Sequence, residues 1–219
     1  MDQYARNLKA GTILAKATDQ IGDVIQRNFV DGTTMNKAIA VLSALQYDLF
    51  SSFVILQPNR GPVVARSIIL RTILENHGTM IHVQKNEKRA SRYLENIVSF
   101  DHDLAAASKM EKVAVLKSEW TTSTIADRVS KIDKNSSFIY DLLSNFTHGN
   151  NITNLLSPER DIVGYEPMIE DYFVSEYIQF LFIMVHELKM DEKFKKIIYV
   201  AMKDASRIAL DGRVDSSTQ

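Results

Sequence analysis

The chain has no cysteine, one tryptophan, four prolines and eight glycines in 219 residues. Without cysteine it has no disulfides, no thiolate zinc site and no cysteine nucleophile, a composition that suits a reducing compartment. The scarcity of proline and glycine leaves long stretches unbroken, which favours helices over short strands and turns. Charge of one sign is also lacking, since 26 Lys and Arg face 27 Asp and Glu, for a net charge of -1. That balance gives no general pull toward nucleic acid or an anionic membrane, so a chain of this kind that holds RNA needs a local basic patch or a small footprint. The opening Met1-Asp2-Gln3-Tyr4 lacks the charged-then-apolar pattern of a signal peptide. The most apolar stretch, Tyr177 to Val185, is too short to span a bilayer. The expected location is the cytoplasm, with no membrane partner.

Several motifs are missing too. There is no Gly-x4-Gly-Lys-Ser/Thr phosphate loop, no Gly-x-Gly-x-x-Gly, no His-Glu-x-x-His and no Gly-x-Ser-x-Gly, and the paired Glu-x-x-His of di-iron bundles does not occur. Nucleotide hydrolases, zinc proteases, esterases and ferritin-like oxidases lose weight accordingly, and no cofactor or metal is expected.

What is present is apolar periodicity at spacings of three and four. It predicts a first helix over 3–29, with Tyr4, Leu8, Leu14, Ile21, Ile25 and Phe29 inward and Gly11 and Gly22 as weak points. Thr33 or Thr34 can cap a second helix that runs to about Leu56, and Pro62 suits the start of a third that reaches Val83. The second and third are apolar nearly all round, as central helices are. A fourth should span 86–109, shorter helices 110–135, and a further one should follow a cap at Asn135 or Ser136 and stop at Gly149. From Gly149 to Met168 the pattern lapses into a long loop, expected to be mobile or functional. Two last helices are predicted over 169–190 and 191–211. The fold class is therefore all-α, a single-domain bundle of seven or eight helices over 1–211 with helices two and three central, and 212–219 a flexible tail.

Two polar constellations interrupt the apolar helices. Arg71 and Glu75 lie one turn apart on one face, inside the run from Pro62 to Val83. Tyr140, Ser144 and His148 form a stripe on another helix, ending at Gly149. Buried polar groups without partners are costly, so such stripes either staple a core or line a site. Arg71 and Glu75 read first as a buried ion pair, with an Arg that orients phosphate as the functional reading. His77 sits about 120° around the helix from Arg71, and one helix cannot aim both at a single point without a second chain. Ser144 and His148 belong to a hydrogen-bonded helix end, or His148 acts alone as acid/base. Asp101-His102-Asp103 point about 100° apart in succession and cannot converge on one ion. His82 and His186 are isolated, the latter near the carbonyls that end its helix. Trp120 and the Phe and Tyr residues are spaced as core, without the basic interleaving of a nucleic-acid platform.

Arg71/Glu75 together with Tyr140, Leu143, Ser144 and His148 resemble a group of uncharacterised bacterial proteins carrying a domain of unknown function. In that group one helix bears Arg-x-x-x-Glu and a later one Tyr-x-x-Leu-Ser-x-x-x-His; the likeness covers about residues 35–150. More distantly, the helical layout resembles HEPN domains, which are all-helical, often dimeric, and frequently metal-independent ribonucleases of toxin–antitoxin or antiphage systems. Their hallmark is Arg-x4–6-His. Arg71-x5-His77 meets that spacing, with Thr72 where Asn, Asp or His commonly follows, and no matching Arg precedes His148. The resemblance implies a protein of bacterial stress or defence that cuts or binds RNA, with Arg71 on phosphate, His77 or His148 as acid/base, and Glu75, Tyr140 and Ser144 in support. Its expected partners are RNA or a partner protein, and a second copy of the chain. The alternative is a non-catalytic helical interaction module that regulates a partner effector.

Overall fold

The computed structural model describes residues 2–19, 21–57, 63–95, 125–147 and 162–210. Among them are nine helices and no strand, so the all-α bundle expected from the periodicity is what the chain forms. In chain order these are α1 (Gln3–Ala17), α2 (Ile21–Asp31), α3 (Thr34–Leu56), α4 (Val63–Gln84), α5 (87–95), α6 (Ile125–Val129), α7 (Ser136–Thr147), α8 (Ile162–Glu187) and α9 (Glu192–Leu210).

Local sequence explains the starts. The Asp2 carboxylate accepts from the Ala5 amide at 2.7 Å and opens α1. Of the two threonines able to cap α3, Thr33 does so, in a reciprocal capping box with Asn36. Asn135 sits just before α7, its carbonyl accepting from the Ile139 amide at 3.0 Å, and the Asp133 carboxylate accepts from the amides of Asn135 and Ser136 at 2.7 and 2.9 Å. Asp191 opens α9 by accepting from the Phe194 amide.

The predicted first helix is in fact two. It breaks at Thr18, whose hydroxyl reaches the carbonyls of Leu14 and Ala15 and meets the Tyr177 hydroxyl at 2.8 Å in the buried interior. A threonine that bonds back to its own turn competes with the helix ladder, and the long-range tie to Tyr177 fixes the break. A second correction concerns α8. It begins at Ile162 and runs through Gly164 and Pro167, inside the expected loop. Burial of Ile169, Phe173, Val174 and Tyr177 along it outweighs the one backbone bond that a proline near the helix start cannot make. The rest of that loop, the 96–124 segment and the predicted tail lie outside the described residues.

Helices α3 and α4 pack against one another and take central positions, as predicted. The structure adds α8, which packs on α1, α3, α4 and α9. Its contact with α3 is aromatic: Phe50 stacks on Tyr177 at 4.1 Å between centroids and Phe53 on Phe173 at 3.9 Å, with Phe180 beside Phe50. Helix α3 is long and apolar enough to cross a membrane by length and composition, but Ile39, Leu42, Phe50 and Phe53 on it are core residues here.

Glycines mark the closest approaches. A Cβ on Gly11 would stand 3.0 Å from Gln57 Oε1 and 3.4 Å from the Phe173 ring. One on Gly78 would stand 2.8 Å from the Arg128 carbonyl carbon and 2.9 Å from the Val129 amide, so Gly78 lets the α6 backbone lie directly on α4. Gly22 faces open space. Gly78→Ala should therefore cost about 1–3 kcal/mol through overpacking, whereas Gly22→Ala should be neutral or stabilise by up to about 1 kcal/mol. Urea denaturation of the two variants checks this; equal effects would contradict the packing.

Candidate functional site

Helix α4 carries polar side chains on several faces, and each meets a different neighbour. On the rim toward α7, Arg71 Nε lies 3.1 Å from Glu75 Oε1. The Tyr140 hydroxyl donates to Glu75 at 2.9 Å and accepts from Arg71 at 3.4 Å, and the guanidinium carbon stands 5.3 Å from the Tyr140 ring centroid. The three form a closed triangle, with Ser144 half-buried one turn further along α7. The pairing matches the sequence reading, but the burial does not: Arg71 and Glu75 keep 21% and 26% of their side-chain surface exposed. Burial raises the Tyr140 pKa; its bond to Arg71 works against that rise and its bond to Glu75 adds to it.

On the inner face, His77 is 2% exposed and its Nδ1 lies 2.6 Å from Glu176 Oε2 of α8. His77 therefore does not open onto a cleft with Arg71, and α8 covers the face that a second copy of α4 would have to approach. Sequence reasoning gave His77 an acid/base role only with a second chain beside it; within one chain its ring is a core group held against Glu176. One turn further along α8 from Tyr172 stands Glu176, which is fully buried and whose Oε1 has no partner among the described residues. Tyr172 itself bonds the Asp133 carboxylate and meets the Ser136 hydroxyl at 3.0 Å.

Two further polar contacts on α4 are interior. Arg66 pairs with Glu170 of α8, both essentially buried, and Glu170 also accepts from Gln57 at the end of α3. Asn76 donates to the Leu42 carbonyl at 2.9 Å and to Gln46 Oε1 at 2.6 Å, and Gln46 returns a bond to the Ile73 carbonyl. On the side facing α6, Arg128 donates to Thr79 at 3.1 Å and is 3% exposed. Burial pulls its pKa down while the charge of Glu75 pushes it up, so Glu75 stands within the field of two arginines.

His148, Trp120 and Asp101-His102-Asp103 lie outside the described residues. His186 is exposed, with its ring 4.3 Å from that of Phe182. The sequence reading missed Arg66, Arg128, Glu170 and Glu176. The signal for the two acids was present: Glu170 and Glu176 interrupt a long apolar helix, as Arg71 and Glu75 do. Among the described residues no three His, Asp or Glu side chains gather as metal ligands. Comparison of the chain with family models, curated proteins and solved structures finds no match.

Two of the acid–base contacts of α4, His77–Glu176 in the core and Arg71–Glu75 on the rim, should differ sharply in stability. Glu176→Gln or His77→Ala disrupts a buried pair and should cost about 3–5 kcal/mol. Glu75→Gln, on the rim, should cost about 0–1 kcal/mol. Equal losses in chemical denaturation would contradict the assignment of core and rim.

A pH dependence follows from His82. Its ring Nδ1 is buried without a partner among the described residues. Burial first, then the charges of Arg89, Arg128, Lys131 and Lys85, hold its pKa below the ordinary 6.5. The unfolded chain thus binds a proton at His82 more readily than the folded one. The His82 contribution is intact above pH 6.5 and is lost as pH falls through the lower folded value. Between about pH 7 and about pH 5 the melting temperature of His82→Gln should drop less than that of wild type; parallel curves would overturn this.

Proposed function

We propose that the protein is a HEPN-like helical protein of bacterial stress or antiphage defence that engages RNA in the cytoplasm through the α4–α7 rim. The observation that carries this reading is the state of Arg71. Its guanidinium is oriented by Glu75, lies over the Tyr140 ring, and still keeps about a fifth of its surface in water. A planar cationic fork held in place before the ligand arrives loses little entropy on meeting a phosphate. In this proposal His148, four residues after Ser144 in the sequence, is the acid/base for metal-independent strand cleavage. His77 has a structural role, because its Nδ1 is committed to Glu176. A second copy of the chain belongs to the proposal as partner, with Phe29, Val30 and Ile55 as exposed apolar side chains on α2 and α3.

A second reading is a non-catalytic helical interaction module, or a regulator of a partner effector. It is favoured by the closed triangle itself: Arg71, Glu75 and Tyr140 already satisfy one another.

The test is binding and cleavage of a labelled single-stranded RNA by wild type, Arg71→Ala and His148→Ala. Loss of a charge-assisted phosphate contact should weaken binding about 10- to 100-fold in Arg71→Ala, and His148→Ala should bind normally while cleavage stops. A wild type that neither binds nor cuts RNA would replace this reading with the interaction module.

A further inference from the structure

The lysine-rich outer face of α9 combines charge and aromatic exposure on one helix. Lys193, Lys196 and Lys203 are exposed and make no ion pair among the described residues, while Lys195 is paired with Glu192 at 2.8 Å and Arg207 with Asp204 at 3.5 Å. At about 100° per residue Lys193, Lys196, Val200 and Lys203 fall on one side of the helix. Tyr199 flanks them with 43% of its surface exposed, and Val200 with 53%. Glu192, Lys195, Lys196, Tyr199, Val200 and Lys203 border an open depression of about 490 Å³, in which the one acid is held by Lys195. The opposite side of α9 buries Phe194, Ile198, Met202 and Ala205 against the core. The sequence reading that every aromatic is spaced as core is corrected here: Tyr199 is interleaved with cations on the surface.

We infer that this face of α9 is a docking strip for the sugar–phosphate backbone of single-stranded RNA, with Tyr199 as a stacking platform for one base. The inference rests on the RNA reading above and adds a surface to it. The charge complementarity is local: a chain of net charge -1 presents three unpaired lysines on one helix face. Lysines that follow a backbone, next to an exposed aromatic ring, are the two elements of sequence-tolerant single-strand binding. An anionic membrane fits less well, because a helix that lies in the interface needs its broad apolar face for the lipid, and that face of α9 is committed to the core.

The experiment measures fluorescence anisotropy of a labelled single-stranded RNA with wild type, Lys196→Gln/Lys203→Gln, Tyr199→Ala and Arg71→Ala across a salt series, with circular dichroism as the check on folding. Two lost phosphate contacts should flatten the slope of log affinity against log salt by about 1.4, at about 0.7 per contact for single strands. Tyr199→Ala should weaken binding at least about fivefold. RNA binding with an unchanged slope in the double-lysine variant and no loss in Tyr199→Ala would overturn the strip and leave the RNA reading standing. Loss in the lysine variants without loss in Arg71→Ala would support the strip and remove Arg71 from the binding surface. No RNA binding by wild type would overturn both. Lysine-dependent binding to phosphatidylserine vesicles in place of RNA would replace the strip with a membrane contact.

Discussion

The crossing of α4 and α8 is the constraint on which the rest of the structure depends. Two acids of α8, Glu170 and Glu176, are fully buried, and each meets a buried side chain of α4, the Arg66 guanidinium or the His77 ring. Withdrawing a carboxylate from water costs several kcal/mol by rough estimate, and a partner in good geometry must offset it. Sliding α4 along α8 would separate both pairs at once, so the two helices have one workable register. Glu170 extends that register to α3 by accepting from Gln57, and the Gln57 carbonyl accepts from Tyr4 of α1. The ionic contacts thus specify which helices meet, while the aromatic stacking of α3 on α8 and the surrounding aliphatic core supply the favourable burial.

With α4 fixed on its inner side, its outer side becomes a platform. Gly78 admits the α6 backbone, Thr79 receives Arg128, and Arg71 and Glu75 reach Tyr140 of α7. One helix therefore divides its polar residues between two duties. His77 and Arg66 hold the core, and Arg71 and Glu75 define a rim that water reaches. The proposed chemistry belongs to the rim because a cation there combines fixed orientation with access. The cationic face of α9 stands apart from that rim, and its acids Glu192 and Asp204 are engaged by Lys195 and Arg207, which leaves Lys193, Lys196 and Lys203 without an ion pair among the described residues.

Much of this was legible in the sequence because it is local. Helix starts at Gln3 and Thr34 follow from caps and apolar spacing, and the Arg71–Glu75 pair from a four-residue step. The centrality of α3 and α4 follows from their apolar circumference. What was not legible depends on residues far apart in the chain. Glu170 and Glu176 find partners 104 and 99 residues away, and no periodicity announces such a contact. The break between α1 and α2 has no proline or glycine at its turn; it needs Tyr177, distant by 159 residues, to hold Thr18. His77 matched a short motif by spacing, yet its side chain turns inward, because spacing along one helix says nothing about what covers that face. Tyr199 was assigned to the core with the other aromatics, and only its exposure reveals the lysines beside it as a surface.

The measurement that bears most directly on this account is a double-mutant cycle at Arg66 and Glu170, read as unfolding free energy. Arg66→Met and Glu170→Leu each leave a buried charge uncompensated, and the account predicts that each costs about 3–5 kcal/mol. It predicts that the double variant regains most of that loss, because it removes both charges and keeps the apolar volume. Single variants that unfold like wild type, or a double variant whose loss is the sum of the two, would contradict the claim that paired burial at the α4–α8 crossing sets the fold.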